Sequence, residues 1–255
     1  MNTMMNTQST RTPPPHIMAT AVRSASKYIL AVPDDARRGL ARGWLWLGLT
    51  ALLGSGVFSV LLVLSRTPYL QNLFPVADFF RVALVVHVDL SVLVWFIALA
   101  GILWSLNCPA RGVMWGKLAL WLCAAGAALM TLAPFFGHGE AIMSNYIPVL
   151  NDPLFLAGLL LIALGFGLLV SRSLLLAPRL GPDFDGGGVL RFGLNAAAVS
   201  AAMALLAFAW SFGVTPDSLS GKPYFEILFW GGGHALQFTW TLMMLVAWLW
   251  LTSAI

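Results

Sequence analysis

The sequence predicts an all-α membrane protein with six transmembrane helices. Hydrophobic residues make up 59% of its 255 residues and charged residues only 9%, whereas a soluble domain carries about 25% charged residues. The mean hydropathy of +0.84 is too high for the surface of a water-soluble protein, so lipid must surround most of the chain. Six apolar stretches are each long enough to cross roughly 30 Å of hydrocarbon.

Polar and turn-forming residues separate the predicted spans. Ser65–Pro68 ends the first span, Asn107–Gly112 separates the second from the third, and Pro178–Gly188 separates the fourth from the fifth. Residues 1–43 are polar and proline-rich and contain no signal-peptide core. We therefore expect a polar arm over 1–43 and a transmembrane domain over 44–255. The predicted spans are 44–64, 79–104, 114–135, 153–172, 190–212 and 226–251.

The basic residues predict the orientation in the membrane. Eleven of the 14 Lys and Arg residues lie in the N-terminal arm and in two connections on the same side of the predicted bundle. The positive-inside rule then places the N-terminus in the cytoplasm. We expect the membrane to be a bacterial inner membrane. The net charge of +4 is small and indicates contact with an anionic lipid surface, not with nucleic acid. The eleven residues are Arg11, Arg23, Lys27, Arg37, Arg38, Arg42, Arg111, Lys117, Arg172, Arg179 and Arg191.

Two histidines, His87 and His234, lie inside predicted spans, where ionisable residues are costly and usually functional. Counted from the predicted outer helix ends, His87 lies roughly 12–15 Å deep and His234 roughly 12 Å deep. Imidazole is a ligand of haem iron and of copper. The alternative is that each imidazole bonds a backbone carbonyl or a Ser or Thr of a neighbouring helix.

The residues around these histidines resemble a known family. The stretch His87–Phe96 is similar to the second helix of the catalytic subunit of haem–copper oxidases and nitric oxide reductases, and Phe229–Phe238 is similar to its sixth helix. The resemblance covers about 44–255. It implies the N-terminal half of a twelve-helix haem–copper oxidase subunit I bundle. In that family His87 would bind low-spin haem iron, and His234 would be a catalytic copper ligand.

The function implied by the resemblance is that of a respiratory terminal oxidase. It would reduce oxygen to water with electrons from cytochrome c or a haem c subunit, with proton uptake, using low-spin haem, high-spin haem and copper. Its partners would be other oxidase subunits, six further C-terminal helices and the lipid bilayer. Phe238 lies where classical cytochrome oxidases carry a tyrosine and nitric oxide reductases carry a glutamate. This difference favours a cbb-type oxidase. The alternatives are a nitric oxide reductase and a non-catalytic transporter or assembly subunit derived from the same fold.

Four further residues are candidates for a functional role, because of the resemblance or because of their predicted depth in the membrane. Trp95 and Trp230 could wall a porphyrin, although aromatic residues in membrane helices also face lipid or pack inside the bundle. Arg81 could reach a haem propionate or extend to a lipid phosphate. Asp89 points away from His87, because two residues turn a helix by about 200°. We expect this carboxyl group to pair with a polar group of a neighbouring helix.

The polar loop 136–152 is the remaining candidate segment. Glu140 or Asp152 could help to hold a cation or a haem propionate near the outer face. The alternative for Asp152 is an N-cap, since Pro153 follows it directly. Cys108 and Cys123 lie at different predicted depths, so we expect no disulfide between them.

Overall fold

A computed structural model describes residues 28–70, 78–136, 139–178 and 186–253. Six of its helices are long and apolar enough to cross a membrane, and the chain is an all-α membrane protein, as predicted. A short antiparallel β-hairpin joins the third and fourth of these helices. The elements are α1 (Ala36–Arg66), α2 (Phe79–Asn107), α3 (Ala110–Phe136), β1 (Glu140–Ile142), β2 (Val149–Asn151), α4 (Pro153–Leu175), α5 (Gly186–Val214) and α6 (Gly221–Thr252).

Four helices begin earlier than the hydropathy predicted, and two of them, α1 and α6, begin earlier by five residues or more. Helix α1 starts at Ala36 because Asp35 caps it, accepting a hydrogen bond from the Arg37 backbone N–H at 2.8 Å. The side-chain hydrogen bond from Arg37 also holds the pKa of the Asp35 carboxyl below its ordinary value. Helix α6 starts at Gly221 instead of 226. Hydropathy marks the apolar part of a helix, so it misses polar first turns of this kind.

Helix α2 is the central helix of the bundle. In its most apolar window 56% of the residues are buried, against 22% in α5 and in α6. A π-helical segment, Asp89–Val94, interrupts α2 directly after the predicted ligand His87. Such segments insert a residue into an α-helix and turn the side chains that follow onto a different face, and they are frequent at functional sites. The π-helical segment therefore separates the part of α2 that carries His87 from the part that follows Val94.

Glycine brings α3 and α4 into backbone contact. A Cβ atom added to Gly158 would lie 2.7 Å from the Gly126 carbonyl oxygen and 3.0 Å from the Met130 nitrogen. A Cβ atom added to Gly126 would meet the Gly158 carbonyl oxygen in return. Small residues at such crossings let membrane helices approach closely, which is the main source of their packing energy in lipid.

The loop between α3 and α4 is ordered by the hairpin and by a helix cap. Asp152 accepts hydrogen bonds from the backbone N–H groups of Leu154 at 2.9 Å and Phe155 at 3.3 Å, with Pro153 at the first helical position. This confirms the N-cap interpretation of Asp152. Glu140 pairs with Asn151 in the hairpin.

Both cysteines are free and buried, as predicted. Cys108 follows the last residue of α2, and burial raises the pKa of its thiol. Cys123 lies inside α3. Neither is placed to react readily, since a reactive cysteine needs an accessible thiolate.

Candidate functional site: two membrane histidines

His87 is held by Ser55 of the neighbouring helix α1. Its Nδ1 atom lies 2.9 Å from the Ser55 carbonyl oxygen and 3.0 Å from the Ser55 hydroxyl. That hydroxyl donates to the His87 carbonyl oxygen at 3.0 Å. Because a carbonyl oxygen can only accept, Nδ1 carries the proton and Nε2 carries the lone pair. Among the described residues none hydrogen-bonds Nε2.

This arrangement is the one that metal-binding histidines use. A ligating imidazole nearly always donates its other ring N–H to a carbonyl or carboxylate, which fixes the tautomer and the ring orientation. It also satisfies the alternative predicted from the sequence, in which a serine of a neighbouring helix stabilises the imidazole. The two interpretations differ at Nε2 of His87. A metal-binding histidine needs this nitrogen free of a hydrogen bond, whereas a purely structural histidine does not.

His234 is hydrogen-bonded through both nitrogens. Nδ1 donates to the Trp230 carbonyl oxygen at 2.9 Å, and Nε2 accepts from the Tyr146 hydroxyl at 2.9 Å. Tyr146 lies between the two strands of the hairpin with φ of 69°, a left-handed conformation that is uncommon for a tyrosine. A Cβ atom at Gly233 would overlap the Tyr146 ring, so glycine is what allows the phenol to reach His234.

Trp230 completes this second cluster. Its ring centroid lies 4.8 Å from that of His234 and 6.2 Å from that of Tyr146. We call these three residues the His234 cluster. A cavity of about 530 Å³ adjoins it between α2, α6 and the hairpin, and Phe96, Gln237 and others line it. His234 is itself exposed, so its free side faces away from the packed interior.

The two histidines lie at similar levels of the bundle. Phe96 of α2 stacks on Trp240 of α6 with ring centroids 5.4 Å apart, which fixes the register of these two helices. His87 precedes Phe96 by nine residues and His234 precedes Trp240 by six. The levels therefore differ by about 4.5 Å, roughly one helical turn. No contact between the two imidazoles occurs within the described part of the chain.

The other predicted site residues divide between different partners. Trp230 contacts His234, whereas Trp95 packs on α1, with its ring 3.0 Å from the Cβ position of Gly48. Arg81 is largely exposed and forms an ion pair with Asp78 at 3.2 Å. Its role at a propionate stays a prediction.

The predicted pairing of Asp89 is wrong. Its side chain is buried, but neither carboxyl oxygen has a hydrogen-bond partner among the residues that the structure describes. A short side chain can bond only to a group placed directly opposite it. None is available at this position of α2, where the helix changes to the π form.

The described residues do not form a cluster of metal ligands around His87 or His234. Over 28–70, 78–136, 139–178 and 186–253, no group of three or more His, Cys, Asp or Glu side chains lies close enough to hold a metal ion. His16 and His138 lie outside these residues. A metal at His87 or His234 would therefore need further ligands from elsewhere.

Tyr146 is the site residue that the sequence did not reveal. Replacing Tyr146 with phenylalanine is expected to lower the free energy of unfolding by about 1 kcal/mol, because the hydrogen bond between the phenol and His234 is lost. It should also leave Nε2 of His234 free, so that diethyl pyrocarbonate modifies this histidine faster. Tyr69→Phe is the matched control, since Tyr69 is 92% exposed. Equal modification rates in the two variants would contradict the hydrogen bond.

Sequence comparisons reveal two relatives, neither with a stated function. The chain is 27% identical over 245 residues to "Uncharacterized protein RP382" of Rickettsia prowazekii (strain Madrid E), covering 82% of this chain and 46% of that protein. It is 31% identical over 206 residues to an "Uncharacterized protein" of Aquifex aeolicus (strain VF5), covering 81% and 52%. The chain thus spans about half the length of the curated relatives it matches. No family model matches it, and no solved structure matches it.

Proposed function

We propose that this chain contributes the N-terminal half of the catalytic subunit of a haem–copper oxidase. The observation that carries the proposal is the hydrogen bond from His87 Nδ1 to the Ser55 carbonyl oxygen, which leaves Nε2 directed to accept a metal. Together with the resemblance of His87–Phe96 and Phe229–Phe238 to the family's second and sixth helices, it favours low-spin haem iron at His87.

The residues around His87 suit an axial ligand. Ser55 holds the ring from the side opposite to Nε2 and fixes its tautomer. The segment that follows, Asp89–Val94, changes to a π-helix, so the side chains below His87 face differently from those of an uninterrupted α-helix. Haem bound there would accept and pass on single electrons, and cytochrome c or a haem c subunit would be their source.

The residues around His234 suit copper less completely. Its Nε2 atom is engaged with Tyr146, so the phenol would have to move before that nitrogen could bind a metal. His234 offers one ligand, and the described residues supply no others. Reduction of oxygen to water, with proton uptake, would therefore need ligands from further helices. The relatives are longer than this chain, and the matched part is only about half of their length, which leaves room for such helices.

The membrane placement of the oxidase proposal follows from charge. The bundle would lie in a bacterial inner membrane with its N-terminus in the cytoplasm and the hairpin on the outer side. Cytochrome c would then meet the hairpin end, at which α2 and α6 begin and toward which both histidines lie. Arg81, at the start of α2 on that side, would be the residue nearest to a propionate.

A non-catalytic membrane subunit is the second candidate. It is favoured by the hydrogen bonds of His234, because Tyr146 and the Trp230 carbonyl already engage both nitrogens of that imidazole without a metal. The absence of any three-ligand group from the described residues points the same way. A nitric oxide reductase shares the first proposal's fold and differs by non-haem iron in place of copper.

The metal content of the purified protein distinguishes these candidates. We expect the pyridine haemochrome spectrum of the full-length protein, isolated from its own membrane with the subunits that copurify, to show haem. Copper should be found by elemental analysis together with iron. Non-haem iron in place of copper would favour a nitric oxide reductase. A preparation that contains neither haem nor copper would contradict both redox proposals and leave the non-catalytic subunit.

A further inference from the structure

Arginines surround a cavity at the end of the bundle opposite to the hairpin. The cavity has a volume of about 650 Å³ and lies between the start of α1, the connection after α2 and the end of α4. Arg37, Arg111 and Arg191 line it, and none of its lining residues within the described part of the chain is acidic. We call it the arginine cavity. The other lining residues are Leu30, Ala31, Pro33, Leu106, Asn107, Pro109, Leu176, Ala177 and Pro178.

The charge of the arginine cavity is only partly neutralised. Arg37 forms an ion pair with Asp35 at 2.7 Å. Arg111 and Arg191 have no ion pair with any described residue, and both are exposed to the cavity mouth. Two positive charges are therefore left unpaired by the described residues at the opening of a concave site, where low-dielectric walls strengthen their attraction for anions.

A buried guanidinium lies one helical turn from this cavity. Arg172 is only 3% exposed, and Leu176, which follows it by one turn on α4, lines the cavity. Nε of Arg172 donates to the Gly112 carbonyl oxygen at 2.7 Å, but Nη1 and Nη2 are buried without a hydrogen-bond partner among the described residues. A buried charge with two unpaired donor groups costs several kcal/mol. Arg172 does not itself line the cavity, but an anion bound there that extended to these donor groups would offset that cost.

Asn107 adds a polar acceptor to the same wall. Its Nδ2 donates to Asn195 at 3.1 Å, while its Oδ1 is buried without a partner among the described residues. An acceptor beside several guanidinium groups suits a ligand that combines an anionic phosphate with a hydroxyl donor. Arginine forks bind phosphate in a bidentate manner, which a lone ammonium cannot do.

We infer that the arginine cavity is a phosphate-binding site. Its place at the helix ends, between apolar Leu106 and Leu176, is where lipid headgroups meet a membrane protein, so a glycerol phosphate headgroup of an anionic lipid is the natural source. Free phosphate offers the same chemistry without acyl chains. Basic pockets between helices on the cytoplasmic side bind anionic headgroups in this manner. The site lies at the opposite end of the bundle from His87 and does not depend on what that histidine binds.

Native mass spectrometry of the full chain in detergent tests the inference. Phosphatidylglycerol and phosphatidylcholine with identical acyl chains would be titrated against the wild type and against Arg111→Gln/Arg191→Gln. We expect the wild type to prefer phosphatidylglycerol and the double variant to bind it about tenfold more weakly, a loss of about 1.4 kcal/mol. Lys117→Gln is the matched control, an exposed basic residue of α3 that does not line the cavity.

Further measurements identify the source of the phosphate and show whether the effect is specific to the arginine cavity. Inorganic phosphate that displaces the bound lipid and raises the melting temperature by itself would identify free phosphate as the ligand. Its failure to do so would identify the lipid headgroup. Arg172→Met should also weaken lipid binding. If Arg172→Met does not fold, the test depends on the double variant, whose two substituted residues are exposed and therefore tolerate substitution. Equal binding of phosphatidylglycerol by the wild type and the double variant would overturn the inference, as would an equal loss in Lys117→Gln.

Discussion

Replacing His87 with alanine is expected to abolish low-spin haem binding while leaving the helices folded. The substitution removes the Nε2 atom that the proposal assigns to the iron, and no described residue hydrogen-bonds that atom. Ser55→Ala should act more mildly. The backbone carbonyl of residue 55 still accepts from Nδ1 after that change, so only the hydroxyl contact is lost. Loss of such an outer hydrogen bond typically weakens metal binding by roughly 10–100-fold.

The control for His87→Ala is His16→Ala, which changes a histidine in the predicted polar arm. Both variants would be purified in the same detergent and compared by the haem absorbance per mole of protein. Retention of the low-spin haem spectrum in His87→Ala would contradict the assignment of this ligand. Loss of haem in both variants would also contradict it, since the effect would then not be specific to residue 87.

Replacing Gly158 with valine is expected to lower the free energy of unfolding by about 3 kcal/mol. The Cβ atom of the new side chain would lie 2.7 Å from the Gly126 carbonyl oxygen and 3.0 Å from the Met130 backbone nitrogen, and these backbone atoms cannot move aside without separating α3 from α4. Thermal unfolding in detergent, followed by circular dichroism, measures the change.

The matched control lies on the same helix. A Cβ atom at Gly167 has no atom within 4 Å, so Gly167→Val should change stability little. Since both substitutions place valine in α4, they share any effect of helix propensity. Equal destabilisation by the two variants would show that helix propensity, and not the contact with α3, causes the loss.

Hydropathy predicted the six spans well because each helix must be apolar over the thickness of the membrane. Hydropathy also placed the end of α4 to within a few residues. The N-cap at Asp152 was predicted from the Asp-Pro pair, because both residues favour the start of a helix for local physical reasons. Where the helix boundary depends on polar residues instead, the prediction failed. Capped by Asp35, α1 starts eight residues before the predicted span, and α6 starts five residues early.

The candidate site was predictable only in part. The sequence identified His87, His234 and the neighbouring Trp230, because ionisable residues are rare inside apolar spans. It did not identify Ser55 or Tyr146, because both reach their histidines from distant parts of the chain, 32 and 88 residues away. Gly233 was the available signal for Tyr146, since a glycine beside a membrane histidine indicates close approach of another group. The π-helical segment at Asp89 has no comparable sequence signature, so the surroundings of Asp89 could not be anticipated.

The electron paramagnetic resonance spectrum of the oxidised protein, compared between the wild type and His87→Cys, tests most directly whether His87 binds haem iron. Exchange of a nitrogen ligand for a sulfur ligand changes the electronic environment of the iron, while the haem can stay bound. We predict a low-spin iron signal in the wild type whose g values shift, or which converts to high spin, in His87→Cys. Identical low-spin signals from the two proteins would contradict iron ligation by His87.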